Sequence, residues 1–304
     1  MSTVTTRAIV QGDKQRTRTR RPFIRERRIP LAPRAGAFIV MAIFGLYSLI
    51  PMWWLLVTAT KNKEFLFTTN PMWFSHFDLW GNITDVFAQQ NGIFAVWTGN
   101  TIIYCVGGAA ISTLLSAMTG FALGKYEFRG RKLIANIILA AVLVPSVLFA
   151  LPLYLMFSEI GLVNTYWAVL LPSLVSPFGV YLARIYASQA IPDELLEAAR
   201  LDGSGEARIF FKIGLPIMMP ALVTVFLYQF VAIWSNYLLP VLMLNNDHLQ
   251  PLSVGLVNWR ERLTEGIPYN ITITGSLLAV IPLLIAFAIL QRYWRSDLTA
   301  GGVK

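Results

Sequence analysis

One cysteine and two histidines in 304 residues leave little material for thiol or metal chemistry. Cys105 has no partner for a disulfide within the chain, and it lies in an apolar run. His76 and His248 stand alone, at no metal-ligand spacing, and neither is placed by sequence to activate a serine. Charge is scarce as well: Asp, Glu, Lys and Arg make up 13% of the chain. None falls in the middle of a long apolar run, so there is no ionisable relay of the kind that proton-coupled transport uses at membrane depth. That leaves a sodium-coupled carrier open. A phosphate-binding loop is missing. The nearest string, Gly120-Phe-Ala-Leu-Gly124-Lys125-Tyr126, is one residue short of the pattern, ends in tyrosine and closes an apolar run. No signal-peptide pattern opens the chain. Residues 1–34 carry ten bases, and they read as a disordered tail that stays on the side of synthesis.

What is present is apolar. Hydrophobic residues make up 56% of the chain, outside the ordinary soluble range. The net charge of +9 does not point to nucleic acid, because the bases cluster beside apolar runs instead of forming one face. Crossing a hydrocarbon core takes about 20 apolar residues. Six segments qualify, near 35–60, 98–124, 133–157, 163–184, 215–240 and 272–291. The expected fold is therefore an all-α integral membrane protein with six transmembrane helices, bent at Pro51, Pro145, Pro152, Pro172, Pro177 and Pro282. With the N-terminus inside, the inner segments hold twenty-one Lys and Arg. The outer ones hold four: Lys61, Lys63, Arg260 and Arg262. That asymmetry sets both termini in the cytoplasm and turns two long loops, about 61–97 and 241–271, outward. In the second span Gly108, Ser112, Ser116, Gly120 and Gly124 recur every fourth residue, a stripe that lets another helix approach closely. It serves packing within the chain or contact with a second membrane subunit.

Between spans four and five lies a polar island, 191–220. Five acids (Asp193, Glu194, Glu197, Asp202, Glu206) stand against three bases (Arg200, Arg208, Lys212). Pro192, Asp193 and Glu194 suit a first helical turn. Leu195, Leu196 and Ala199 supply an apolar face. Gly203 can take the positive φ that ends a helix, and Ser204 can cap a second one carrying Ile209, Phe210 and Ile213. Pro216 and Pro220 open the fifth span. The pattern predicts two short amphipathic helices over a glycine elbow, tied to a membrane helix. A helix lying on lipid is usually rich in Lys and Arg on its polar face. This one leans acidic, which favours a groove in a soluble partner.

Glu197-Ala198-Ala199-Arg-Leu-Asp202-Gly203, followed by Ile213-x-x-Pro216-x-x-x-Pro220, resembles the cytoplasmic coupling loop of ABC importer permeases. Gly275-Ser-Leu-Leu-Ala-Val-Ile-Pro282, Gln291-Arg-Tyr-Trp, Leu298-Thr-Ala-Gly-Gly-Val-Lys304 and Trp234-Ser-Asn236-Tyr-Leu-Leu-Pro240 are similar to the carbohydrate, maltose-type branch. Asp297 departs from that branch, where a glycine-like position precedes the tail. The resemblance implies a transmembrane permease domain at 35–304 with a coupling loop at 191–213. It also implies that Glu194, Glu197, Ala198, Ala199, Asp202 and Gly203 couple to an ATPase. The implied partners are a second homologous permease, two ATP-binding cassette subunits, an extracytoplasmic sugar-binding protein and the bilayer of a bacterial inner membrane. Nucleic acid is not among them. ATP and Mg would be used by the ATPase subunits, and this chain would carry no cofactor and no catalytic site. Sugars are held by aromatic stacking and amide or hydroxyl hydrogen bonds, so Tyr228, Gln229, Trp234, Asn236 and Tyr237 are candidates for the substrate path. Helix contacts or an interfacial aromatic belt would use the same residues. Two alternatives stay open: a permease for a peptide, polyamine or glycerol-phosphate ester, and a non-transporting scaffold that recruits a cytosolic protein.

Overall fold

The computed structural model describes the backbone of residues 31–262 and 268–300, and the side chains of 36–262 and 268–291. Residues 1–30 of the expected basic tail, and 301–304 of the chain end, lie outside the described residues. The chain divides into two units, Met1–Ile50 and Pro51–Lys304. Helix α1 runs Leu31–Ala59 and contains the first candidate span, Gly36–Ala59.

In the second unit, α2 (Leu79–Ala88), α3 (Ile93–Ile102) and α4 (Gly108–Lys125) form one long helical track, Leu79–Lys125. The expected outward loop at 61–97 is therefore helical from Leu79 onward. The track is kinked where Gln90, Asn91 and Gly92 all take positive φ, and a π turn at Ile103–Gly107 joins α3 to α4. α5 (Arg131–Leu143) and α6 (Ala150–Glu159) make up the expected third span, but they are broken, not bent, by 99°. The cause is local. Val144, the residue before Pro145, is pushed into an extended conformation with ψ 121°, which ends α5. α7 (Tyr166–Ser173) and α8 (Pro177–Ala190) follow, with the Ser176 hydroxyl accepting the Gly179 N–H at the restart. Beyond them lie α9 (Asp193–Leu201), α10 (Glu206–Ile209), α11 (Leu215–Trp234), α12 (Leu238–Met243), α13 (Leu252–Glu261) and α14 (Tyr269–Ala300). Among the described residues, by length and composition, five helical segments can cross a membrane, or six if the broken pair counts as one span.

α4, α8 and α11 form the centre. The stripe on α4 meets a matching stripe on α8, where Gly179, Ala183 and Ala187 also recur every fourth residue. A Cβ on Gly120 would stand 2.5 Å from the Ala183 Cβ and 2.7 Å from the Arg184 backbone nitrogen. The stripe is thus consumed by packing within the chain. At one end Phe121 lies between Tyr126 and Phe210, with ring centroids 5.6 and 5.4 Å away. At the other end the 245–252 segment is sewn to α3. Trp97 Nε1 donates to the Asp247 carbonyl, Asn100 Nδ2 to those of His248 and Gln250, and the Tyr104 hydroxyl to that of Leu249. Asn82 fixes the end of α1, its Nδ2 donating to the carbonyls of Ala59 and Lys61 while its Oδ1 accepts from Asn270 Nδ2.

Candidate functional site: the α9–α10 elbow

Asp193 and Glu194 open α9 at the positive end of its dipole, with Pro192 as the N-cap residue. The helix leans on the centre through Leu196, which is buried, and Ala199, which is half-buried against the same cluster as Phe121, Ala183 and Phe210. At its far end Ser204 N–H donates to the Ala199 carbonyl and Gly203 N–H to that of Arg200. With Gly203 at φ +79°, this is a Schellman stop, as the glycine predicted. Ser204 departs from expectation. Its amide completes the stop of α9, and the N-cap of α10 falls one residue later, at Gly205, with no side-chain cap. Nor is α10 a free-standing helix. It passes through a π turn, Phe210–Gly214, into α11, so that Glu206–Trp234 is one unbroken segment.

Two polar ties hold the elbow. Lys125 Nζ, at the end of α4, is 2.8 Å from Asp193 Oδ1. Glu206 Oε1 accepts from Arg200 Nε at 2.8 Å, and its Oε2 accepts from the Tyr126 hydroxyl at 2.7 Å. The Arg200 guanidinium also lies 5.9 Å from the Tyr126 ring centroid. Arg200 and Glu206 therefore tie the elbow together. What faces outward is a stripe at i, i+3, i+4 and i+7: Glu194, Glu197, Ala198 and Leu201. Leu201 is 89% exposed. Asp202 and Gly203 are exposed at the tip, and Glu194, Glu197 and Asp202 make no ion pair among the described residues. An acidic, apolar-tipped ridge on a firmly held base is suited to insertion into a groove. Among the described residues no cluster of three His, Cys, Asp or Glu could hold a metal. Sequence reasoning missed Leu201 and Tyr126. Leu201 was legible as the residue seven beyond Glu194, whereas Tyr126 is brought in only by the fold.

The ties carry a pH signature. Hydrogen bonding from Lys125, then its charge, hold the Asp193 carboxyl below the usual range. That contribution is present above the ordinary carboxylate range and lost as pH falls through the lowered value. Burial first, and then the Glu206 carboxylate, push the Tyr126 phenol up to about 12 from 10.0. Its contribution is full below about pH 10 and disappears as pH rises to about 12. Tyr126→Phe should lower the unfolding temperature in detergent at neutral pH. The gap to wild type should close across that alkaline window, and a gap that stays constant would contradict the tie.

The five span-five candidates do not converge. Gln229 is buried, and its Nε2 donates to the Ser173 carbonyl at 2.9 Å, where α7 ends and the next helical partner is missing. Its amide serves packing. Trp234 is half-buried and stacks on Phe230 at 5.7 Å. Asn236 caps the next turn through Leu239 N–H at 3.4 Å, and its carbonyl accepts from Ser253 Oγ. Tyr228, 54% exposed and 4.5 Å from the Phe178 ring, and Tyr237 keep open surface. A cavity of about 240 Å³ beside α11 is lined by Thr113, Leu114, Met219, Phe226 and Leu290, among others, and by none of the five.

Residues 112–299 match the family described as "Binding-protein-dependent transport system inner membrane component". The arabinooligosaccharides transport system permease protein of Halalkalibacterium halodurans is 38% identical over 224 residues, which span 73% of this chain and 78% of that one. The lactose transport system permease protein of Rhizobium radiobacter is 27% identical over 260 residues, 86% of this chain and 93% of that one. Among solved structures, a bacterial ABC transporter involved in alginate import superposes with a TM-score of 0.74. At 23% identity, over 87% of this chain and 98% of that one, it speaks to the fold.

Proposed function

The chain belongs to the binding-protein-dependent transport system inner membrane components, and from that premise we propose that it is a permease subunit of an ATP-driven importer for an oligosaccharide or disaccharide. Relatives that carry arabinooligosaccharides and lactose support the cargo class, as does the scarcity of charge in the spans, which suits a neutral solute. Residues 35–304 form the permease domain, which lines the path together with a second, homologous subunit. Two ATP-binding cassette subunits supply ATP hydrolysis with Mg, and a sugar-binding protein delivers cargo at the other face. The excess of Lys and Arg over the segments on the elbow's side supports a cytoplasmic elbow and cytoplasmic termini.

One observation carries this reading: the exposed Glu194–Leu201 stripe sits on an elbow joined to two central helices at once. α10 runs unbroken into α11, and Lys125–Asp193 together with Tyr126–Glu206 bind the elbow to the end of α4. Closure of the ATPase pair around α9 therefore loads α4 and α11 together. Because α4 and α8 interlock through small residues, the three helices move as one body and not by sliding. The test is reconstitution with the second permease and the ATPase subunits in liposomes. Loaded binding protein should accelerate ATP hydrolysis and drive sugar uptake. A scaffold that only recruits a cytosolic protein would show neither.

A further inference from the structure

The loop after α1 is built inside out. Lys61 is completely buried, with no carboxylate in ion-pair range among the described residues. Its ammonium donates to the Asn70 carbonyl at 2.6 Å and to Thr69 Oγ1 at 3.1 Å. Thr69 Oγ1 in turn donates to the Phe65 carbonyl and accepts from Ser75 Oγ. The loop ends are clamped by an antiparallel bridge between Lys61 and Phe77, with Asn62 N–H donating to the His76 carbonyl and Asp78 N–H to that of Thr60. His76 takes a φ of 45° and stacks on Phe65 at 3.5 Å. The polar groups are thus spent inward, around one lysine.

The surface of the same loop is aromatic. Phe67 is 77% exposed, Trp73 67%, Phe77 63% and Trp80, at the start of α2, 75%. From Phe65 to Phe77 there is no Asp, Glu, Lys or Arg. A loop standing in water would show the reverse arrangement. Its position explains the inversion. Trp53 Nε1 donates to the Met72 carbonyl at 3.0 Å, and the Trp53 ring meets Phe74 edge-on at 5.4 Å. Trp53 lies six residues before the end of α1 at Ala59, about 9 Å along the helix at 1.5 Å per residue. The loop therefore does not rise away from the span. It folds back beside it, and its aromatic surface continues the exposed apolar side of Met52, Trp53, Trp54 and Leu56.

We propose that residues 61–80 form an interfacial lipid anchor, a loop closed around Lys61 that seats Phe67, Trp73, Phe77 and Trp80 in the headgroup–acyl boundary of the leaflet where α1 ends. Aromatic rings favour that zone, and a loop without Asp, Glu, Lys or Arg from Phe65 to Phe77, with the Lys61 ammonium satisfied inside it, can enter it without stranding a polar group. The anchor fixes the depth of α1 and the start of α2 against the bilayer. It depends on α1 spanning the membrane and not on which solute is carried.

The test uses the full chain, with its partner subunits, in liposomes of phosphatidylethanolamine and phosphatidylglycerol. A Cys105→Ser background takes single spin labels at Trp73→Cys and Phe77→Cys, with Glu64→Cys as the water-exposed reference. At 73 and 77, collisions with oxygen should exceed those with a water-soluble nickel chelate severalfold, and at 64 the order should reverse. Nickel access at 73 and 77 equal to that at 64 would overturn the anchor. So would loss of both accessibilities only on adding loaded binding protein, since the occupant would then be a protein. Lys61→Met should open the loop and shift both labels toward the nickel reagent. If that variant does not assemble, the labels in the Lys61 chain decide alone.

Discussion

Gly120→Val is expected to leave no monodisperse protein in detergent, and Gly120→Ala to lower the unfolding temperature sharply. The added Cβ would meet the Ala183 Cβ at 2.5 Å, the Arg184 nitrogen at 2.7 Å and the Ala183 carbonyl carbon at 2.8 Å. Two of those atoms are backbone, so no rotamer change relieves the overlap. α4 and α8 must separate, and the separation reaches the neighbouring contacts of the interface, such as Ser116 against Gly179. Overpacking a well-fitted core costs about 1–3 kcal/mol even where side chains can yield. Here the strain falls on a helix pair at the centre of the protein, and valine adds two further methyl groups to it. Gly99→Ala is the control, because nothing lies within 4 Å of that position. The outcome is read from size-exclusion profiles and thermal unfolding. A Gly120→Val chain that melts with wild type would show that α4 and α8 do not pack as described.

The same interface shows what the sequence could reveal. The four-residue recurrence of Gly and Ser was visible on α4, but its partner was not, because Gly179, Ala183 and Ala187 matter only once the two helices face each other. Local signals carried well. Gly203 takes the positive φ that ends α9, and all the apolar runs but the third became helices long enough to span. Competition between local signals did not carry. Ser204 has the chemistry of a cap, yet it closes the Schellman stop of α9 and the cap position falls to Gly205. Pro145 announced a disturbance, while its 99° size depends on how α6 restarts. Non-local needs stayed hidden. Gln229 looked like a sugar ligand, but it answers a carbonyl left free by a break 56 residues earlier. Lys61 counted among the bases of the outer loops, and only the folded loop buries it. In the elbow, acids and bases were counted together as one charge balance. The structure divides them into internal ties (Lys125–Asp193, Arg200–Glu206) and an outward stripe.

That division makes the elbow separable by mutation. Leu201→Asp and Glu197→Lys are each expected to cut sugar uptake by the reconstituted complex tenfold or more while leaving the chain folded. Leu201 is 89% exposed, so its side chain contributes nothing to the isolated fold, and a polar group there meets only water. Exposed apolar residues in isolation need no explanation. This one tops an acidic stripe on α9, which is tied to α4 and leads through the Gly203 turn into the unbroken α10–α11 segment. If it fills a pocket on the ATPase, removing it costs about 2 kcal/mol or more, as for a central interface residue, which is about thirtyfold in affinity. Glu197→Lys reverses a charge on the same face, and like-charge contact across an interface costs as much. Leu196→Asp is the contrast. Leu196 is 2% exposed on the inner face, so an unpaired carboxylate there should destroy the fold itself. The measurements are capture of the ATPase by the membrane subunits, uptake, and melting temperature. Both outer variants should lose the first two and keep the third. Normal capture and uptake by Leu201→Asp would remove the stripe from the coupling path.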